Sequence, residues 1–152
     1  MIKIKQLIPQ GYCLKCRGCC RFSKKHSVWE PRLLAEEKNN VGPIDLVADG
    51  QEGAFVCSLL NASDNNCRAY ASRPFECRLY PFLLSLKENK KFLAIDLNCP
   101  FVKENKDTQA FKAYCAQIAA LMKSPAFSEV LRNNPQMFQP YAGVSEITEM
   151  DF

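Results

Sequence analysis

No stretch of the chain is apolar for anything near the about 20 residues that a membrane-spanning helix needs. The opening residues, MIKIKQLIPQGYC, hold neither a secretory apolar block nor a small-residue cleavage site. A cytoplasmic protein with no membrane partner is therefore expected. Also missing are an internal repeat, a low-complexity tract, a phosphate-cradling glycine loop and a Ser/His/Asp constellation. Histidine occurs once, at His26. These absences remove the common hydrolytic and nucleotide-binding chemistries and leave no candidate general base or nucleophile.

What remains is an ordinary globular composition with one unusual feature. Hydrophobic residues make up 47% of the chain and charged residues 24%, which is enough apolar content to fold rather than stay disordered. A length of 152 residues suits about one domain. The unusual feature is nine cysteines, four of them in the eight residues CLKCRGCC from 13 to 20. In a reducing compartment such a cluster points to metal binding or catalysis rather than to disulfides, and an odd count does not close into bridges.

The formal net charge of +4 assumes neutral thiols, whereas metal ligation requires thiolates. Two four-thiolate sites, each of roughly −2, would bring the loaded protein near zero. The basic balance therefore does not argue for a nucleic-acid partner. Lys15, Arg17, Arg21, Lys24 and Lys25 read as a solvated basic face.

Cys13, Cys16 and Cys19 stand at C-x2-C-x2-C spacing, and each two-residue gap lets a loop return a thiolate to one side. Bacterial ferredoxins use the same first three spacings for an iron-sulfur cubane. Cys20 adjoins Cys19, and neighbouring side chains diverge on a helix or a strand, so the pair is expected to serve different centres. Cys57, Cys67, Cys77 and Cys99 would supply the remaining ligands of two four-thiolate sites. An iron-sulfur cluster or zinc satisfies this donor set, and the three-cysteine wrap tips the reading toward iron-sulfur.

Along the chain, residues 2 to 8 alternate as a first strand, and the cysteine cluster follows on a loop. Pro31 opens a short helix through Leu33, Leu34 and Glu37, and residues 39 to 53 form a surface excursion without a helix. A strand is expected over 54 to 60, a turn at NASDNN, and one helical turn after Pro74. PFLLSL and FLAIDL form a hairpin. A helix capped near Asp107 or Thr108 runs to about Lys123 with Phe111, Tyr114, Cys115, Ile118, Leu121 and Met122 on one face. Ser124-Pro125 starts a second helix that Asn133-Asn134-Pro135 ends; the tail after it fits no single element.

The set Cys13, Cys16, Cys19, Cys20, Cys57, Cys67, Tyr70, Arg73, Pro74, Cys77, Arg78, Tyr80, Pro81 and Phe82, with a later Cys99, resembles the YkgJ-type cysteine-cluster family. That resemblance covers residues 13 to 99 and implies a zinc- or iron-chelating domain. One relative in that family is a flagellin lysine N-methylase. The family's glycine follows the second cysteine, where Arg17 stands; Gly18 comes next, so the loop turns one residue later.

The expected fold is a small α+β single domain over residues 1 to 152. A loop-rich region from 13 to 99 is stapled by metal, beside a β-hairpin and a helical region from 107 to 134. The metal ligands are Cys13, Cys16, Cys19, Cys20, Cys57, Cys67, Cys77 and Cys99, while Cys115 is a core residue and His26 a solvated loop residue. Arg17, Arg21, Arg68, Arg73 and Arg78 compensate thiolate charge, and Tyr12, Phe22, Phe75, Tyr80 and Phe82 wall the centre from solvent. The function expected first is a metal-binding protein with a structural or electron-transfer role. A group-transfer enzyme or its subunit, and a zinc module that binds protein or nucleic acid, are the alternatives.

Overall fold

Pro9 opens the first helix, α1 (Gln10–Cys16), by accepting the Tyr12 N–H at 3.0 Å and the Cys13 N–H at 3.4 Å through its carbonyl. The computed structural model describes residues 4–16, 18–50 and 52–152. It divides into two compact units, Met1–Arg78 and Leu79–Phe152. The fold is α+β.

In the first unit α1 is followed by β1 (Arg21–Phe22), α2 (Lys38–Val41), β2 (Leu46–Ala48), β3 (Phe55–Cys57), β4 (Leu60–Asn61), β5 (Asn66–Cys67) and α3 (Phe75–Leu79). The strands β1, β3 and β2 form an antiparallel sheet in that order, with β3 central. β4 and β5 form a separate hairpin, closed by Asn65 at φ 60°. Asparagine tolerates that left-handed conformation better than most residues.

Several sequence expectations change here. Over its described part, residues 4 to 8, the first strand does not form: Ile4 and Ile8 are buried four residues apart without a ladder partner. The cluster does not sit wholly on a loop either, since Cys13 and Cys16 lie on α1. That helix buries none of its residues, so no apolar stripe announced it. The helix expected from Pro31 begins later, as a 3₁₀ turn over Ala35–Glu37 that runs into α2. The Glu76 carboxylate accepts the Arg32 N–H across 44 positions, which draws that residue to a distant partner, and the Glu37 carboxylate accepts the Leu34 N–H at 3.0 Å, which caps the turn locally. Within the expected excursion, α2 ends at Gly42, where φ is 74°, and β2 forms around the fully buried Leu46.

The second unit contains β6 (Phe82–Lys87), β7 (Lys90–Asp96), α4 (Pro100–Asn105), α5 (Gln109–Met122), α6 (Pro125–Arg132) and β8 (Val144–Glu149). β6 and β7 are the expected hairpin, joined through Glu88 and Asn89 at φ 52° and 63°, which suits a two-residue turn of the primed type. β8 extends it to an antiparallel sheet ordered β6-β7-β8. The outer edge of β6 is covered by Gln139, whose carbonyl accepts the Leu86 N–H at 2.9 Å and whose N–H reaches the Leu84 carbonyl at 3.0 Å.

α5 and α6 form where the capping residues place them. The Thr108 hydroxyl accepts the Phe111 N–H at 3.2 Å, and Pro125 takes the first position of α6. Phe111, Ile118 and Met122 are the buried face of α5, and Phe82 stacks on Phe111 and meets Tyr114 edge-on, with ring centroids 6.4 and 5.4 Å away. Each such aromatic contributes roughly 2 to 3 kcal/mol by leaving water. Among the described residues no helix is long and apolar enough to cross a membrane.

Candidate metal centre

The folding of the first unit carries seven of the eight proposed ligands, from Cys13 to Cys77. Cys13 and Cys16 stand one turn apart on α1, which places both half-buried thiols on one side of the helix. The last carbonyls of a helix need partners, and Asn65 supplies one. Its side-chain amide donates to the Cys13 carbonyl at 3.1 Å and to the Leu14 carbonyl at 2.7 Å, while its Oδ1 accepts from Arg21. The turn before Cys67 is thereby tied to the helix that bears Cys13 and Cys16.

After α1 the chain turns over Gly18. A Cβ there would lie 3.2 Å from the Cys16 Sγ, so the thiol is folded back against the backbone and a side chain would crowd it. The later turn expected from the displaced glycine is thus explained. Cys19 and Cys20 form the next turn, where the divergence rule for helices and strands does not apply. The neighbouring Cys20 thiol holds the Cys19 thiol well above its ordinary value.

Cys20 enters β1, and its carbonyl accepts the Cys57 N–H at 3.0 Å. Cys57 ends β3 in a buried cluster with Val56 and Leu60, against which Cys20, Phe22, Ile44 and Leu59 pack. On β5, Cys67 stands opposite Leu60. Cys77 lies in α3, which follows Pro74 and rests on Glu37: Oε1 of that carboxylate accepts the Phe75 N–H at 2.6 Å and lies 3.7 Å from the Arg78 guanidinium. A carboxylate at the first turn of a helix is favourably placed against its dipole.

The electrostatics show which thiols share surroundings. Burial pushes the Cys77 thiol far up, and the neighbouring charges of Glu76, Cys57, Cys19 and Cys67 push it further. Cys57 is raised by burial first and by Cys67 as well, with the Arg68 guanidinium working in the opposite direction. For Cys19 the hydrogen bond to Cys20 raises the value most, followed by burial and the charge of Cys20; Arg73 opposes them. Thiols that resist losing protons beside one another become good thiolate donors once a cation enters among them.

Arg73 is held in place by its own contacts, donating from Nε to the Tyr70 carbonyl at 2.9 Å and from Nη2 to the Gln6 Oε1 at 2.7 Å, with the guanidinium 3.7 Å from the Tyr70 ring centre. Arg68 donates to the Ser58 carbonyl. Arg17 lies outside the described residues. His26 is exposed, at φ 57°, and its backbone N–H is bound by Glu30 at 2.8 Å. Tyr12, Phe22 and Phe75 belong to the first unit, whereas Phe82 is in the core of the second and Tyr80 donates to the Asp96 Oδ2 at 2.8 Å there.

Cys99 and Cys115 are in the second unit. Cys99 is buried and caps α4, with its carbonyl accepting the Lys103 N–H at 3.0 Å. Cys115 is half-buried on α5, and burial raises its thiol. All nine cysteines are free thiols. Among the described residues no group of three or more Cys, His, Asp or Glu side chains is drawn close enough to hold a metal ion. The chemistry of the donors nevertheless suits zinc or iron: soft sulfurs on one compact unit, with the Arg73 and Arg68 guanidiniums acting on Cys19 and Cys57.

The family described as "Putative zinc- or iron-chelating domain", with the CxxCxxCC motif, matches residues 12–116. The chain belongs to this family. The match includes every cysteine, and it runs beyond Cys99 through α4 and into α5 as far as Cys115, a region that the resemblance read from the motifs had left out. Comparisons with curated proteins and with solved structures each found no match.

Asn65 and Glu37 are the two supporting residues that sequence reasoning missed. Asn65 carried a partial signal, since NASDNN reads as a turn, but its reach to α1 spans 52 positions. Glu37 bonds Phe75 across 38 positions, with no local mark.

Proposed function

We propose that the first unit is a polythiolate module that binds zinc or iron and orders itself around the metal, its role being structural. The observation that carries this reading is the common surroundings of Cys19, Cys20, Cys57, Cys67 and Cys77, drawn from the turn before β1, β3, β5 and α3. Their supports are slight. Each strand of the unit has two or three residues, and its longest helix has seven. Ordering a residue costs about 1 to 2 kcal/mol of backbone entropy, which such short ladders do little to offset. Metal–thiolate bonds supply the difference, as in small domains whose folding free energy is largely binding free energy.

Within this reading α1 presents Cys13 and Cys16, the Gly18 turn brings Cys19 and Cys20 beside them, and Arg68 and Arg73 offset thiolate charge. An iron-sulfur cluster in the same thiolates would add an electron-transfer role, and a reducing compartment suits either metal. Metal analysis decides between them. Anaerobically purified protein assayed for iron, sulfide and zinc, with its visible spectrum recorded, should contain zinc or iron in stoichiometric amount. Brown protein with sulfide makes the centre redox-active; colourless zinc protein makes it structural. Chain free of both metals, and unable to take up either when reduced, would sink the proposal.

A further inference from the structure

The helix α3 has five residues, Phe75–Leu79, and carries Cys77 between Glu76 and Arg78. Isolated helices are marginal even at about 12 residues, so one this short keeps its shape only through contacts to the rest of the fold. Residues 32 to 37 supply such contacts. We infer that Glu37 is a positioning residue of the centre: with Glu76 it clasps residues 32 to 37 to α3 and so holds Cys77 in place independently of metal. The inference rests on the chelating function proposed above and adds which ligand the protein orders in advance.

The clasp is reciprocal. Glu37 reaches forward: its Oε1 accepts the Phe75 N–H at 2.6 Å across 38 positions and lies 3.7 Å from the Arg78 guanidinium, while its Oε2 accepts the Leu34 N–H at 3.0 Å. Glu76 reaches back, its carboxylate accepting the Arg32 N–H across 44 positions and standing 4.0 Å from the Arg32 Nη1. Each segment thus caps a backbone donor of the other. The four side chains are only 12% to 22% exposed, so water competes little for these charge-assisted bonds. Leu34 and Phe75, whose N–H groups Glu37 accepts, are both buried, and removing the carboxylate takes an acceptor from each.

The far arm of the clasp is anchored in turn. The Arg32 guanidinium donates to the Val28 carbonyl at 2.7 Å and to the Glu30 carbonyl at 3.1 Å, which fixes it to the chain that follows β1. Cys77 lies between the two residues of α3 whose side chains the clasp grips, so it cannot shift without breaking an ion pair. Cys13 and Cys16 have no such hold, since α1 buries none of its residues, and Cys19 is exposed. Glu36, next to Glu37 in sequence, is exposed and supplies the control for a lost carboxylate.

The test is pulsed alkylation with iodoacetamide of the full reduced chain, metal-free and zinc-loaded, with peptide mass spectrometry reading each cysteine separately. In the metal-free wild type, Cys77 should react more slowly than Cys13, Cys16 and Cys19. Glu37→Ala should speed Cys77 roughly tenfold, the factor for about 1.4 kcal/mol, and leave Cys13 and Cys16 as they were. Glu37→Gln is equally uncharged yet keeps one acceptor oxygen, so its Cys77 should react at an intermediate rate, and Glu36→Ala should change nothing. In the zinc-loaded Glu37→Ala chain, Cys77 should be the first thiol to lose protection. Equal Cys77 rates in the two Glu37 variants would make the effect one of charge alone. A uniform rise across all cysteines in both would make it one of general stability, and a wild-type Cys77 as reactive as Cys13 would remove the clasp. Each of these overturns the inference and leaves chelation standing. Should Glu37→Ala unfold the chain, Glu37→Gln and Glu76→Gln decide by the same site-by-site comparison. A wild type that takes up no zinc would overturn the chelating reading, while the metal-free arm still decides whether the clasp holds the thiol.

Discussion

Asn65 donates its side-chain amide to the Cys13 carbonyl at 3.1 Å, across 52 positions of sequence. With the companion bond to Leu14, that amide satisfies two carbonyls in the last turn of α1, a helix with no buried residue of its own. Asn65→Ala should therefore cost about 1 to 2 kcal/mol of stability in the loaded protein. It should also weaken metal binding by roughly tenfold, since about 1.4 kcal/mol corresponds to that factor. Competition with a chromophoric chelator measures the second effect. Asn65→Gly keeps the positive φ open but removes the amide, so a loss equal to that of Ala assigns the effect to the hydrogen bonds.

Gly18 and Gly11 should respond in opposite directions to alanine. At Gly11, within α1, an added Cβ meets nothing within 4 Å, and Gly11→Ala should stabilise by roughly 0.5 to 1 kcal/mol through helix propensity. At Gly18 it would lie 3.2 Å from the Cys16 sulfur, so Gly18→Ala should displace that ligand and lower metal affinity. Parallel chelator competitions compare the two. Equal affinities would remove the crowding argument for Gly18.

The metal-free chain should lose stability as the solution becomes alkaline. Burial, with neighbouring charges, raises Cys77 and Cys57 above the ordinary thiol value of 9.0 in the folded state. A group with a raised folded pKa contributes stability that is complete below its unfolded pKa and disappears as pH climbs toward the folded value. Urea midpoints under reductant should hold steady from pH 7 to about 8.5 and fall above that range. The loaded chain should behave in the opposite sense in acid, where protons compete with metal for the sulfurs and release it. A metal-free midpoint that rose above pH 9 would contradict the burial of these thiols.

Where the chain gives a local signal, sequence and structure agree. The β6–β7 hairpin, the Thr108 cap of α5 and the Ser124-Pro125 start of α6 are written in adjacent residues. The strand β8 is not, because SEITE sits on a sheet edge with little buried, and its apolar positions mark no full alternation. Likewise α1 lacks an apolar stripe, and Ile4 and Ile8 alternate like a strand but bury without a partner. The cysteines were legible because thiols cluster in sequence. Their surroundings were not, since Cys20 meets Cys57 through a strand register, and Glu37 meets Phe75 only after the chain folds.

The two cysteines of the second unit complete the set of predictions. Cys115 lies beside the buried stripe of Phe111, Ile118 and Met122, and is itself half-buried. Cys115→Ala should keep the full metal content and cost about 1 kcal/mol, below the range for a fully buried truncation. Cys99 is buried at the cap of α4, and its replacement by alanine should cost more, about 2 kcal/mol, from the lost packing. If the seven sulfurs of the first unit suffice, Cys99→Ala also retains all metal; a lost ion would restore Cys99 to the ligand set expected from the sequence. Cys67→Ala serves as the contrast, because it removes a sulfur from β5, opposite Leu60, and should release metal or leave it labile to chelators. Metal content by elemental analysis and unfolding midpoints on the same three variants separate ligand from packing residue. Because the family match runs as far as Cys115, an ion lost on Cys115→Ala while Cys67→Ala kept its metal would move the centre toward α5 and defeat the assignment to the first unit.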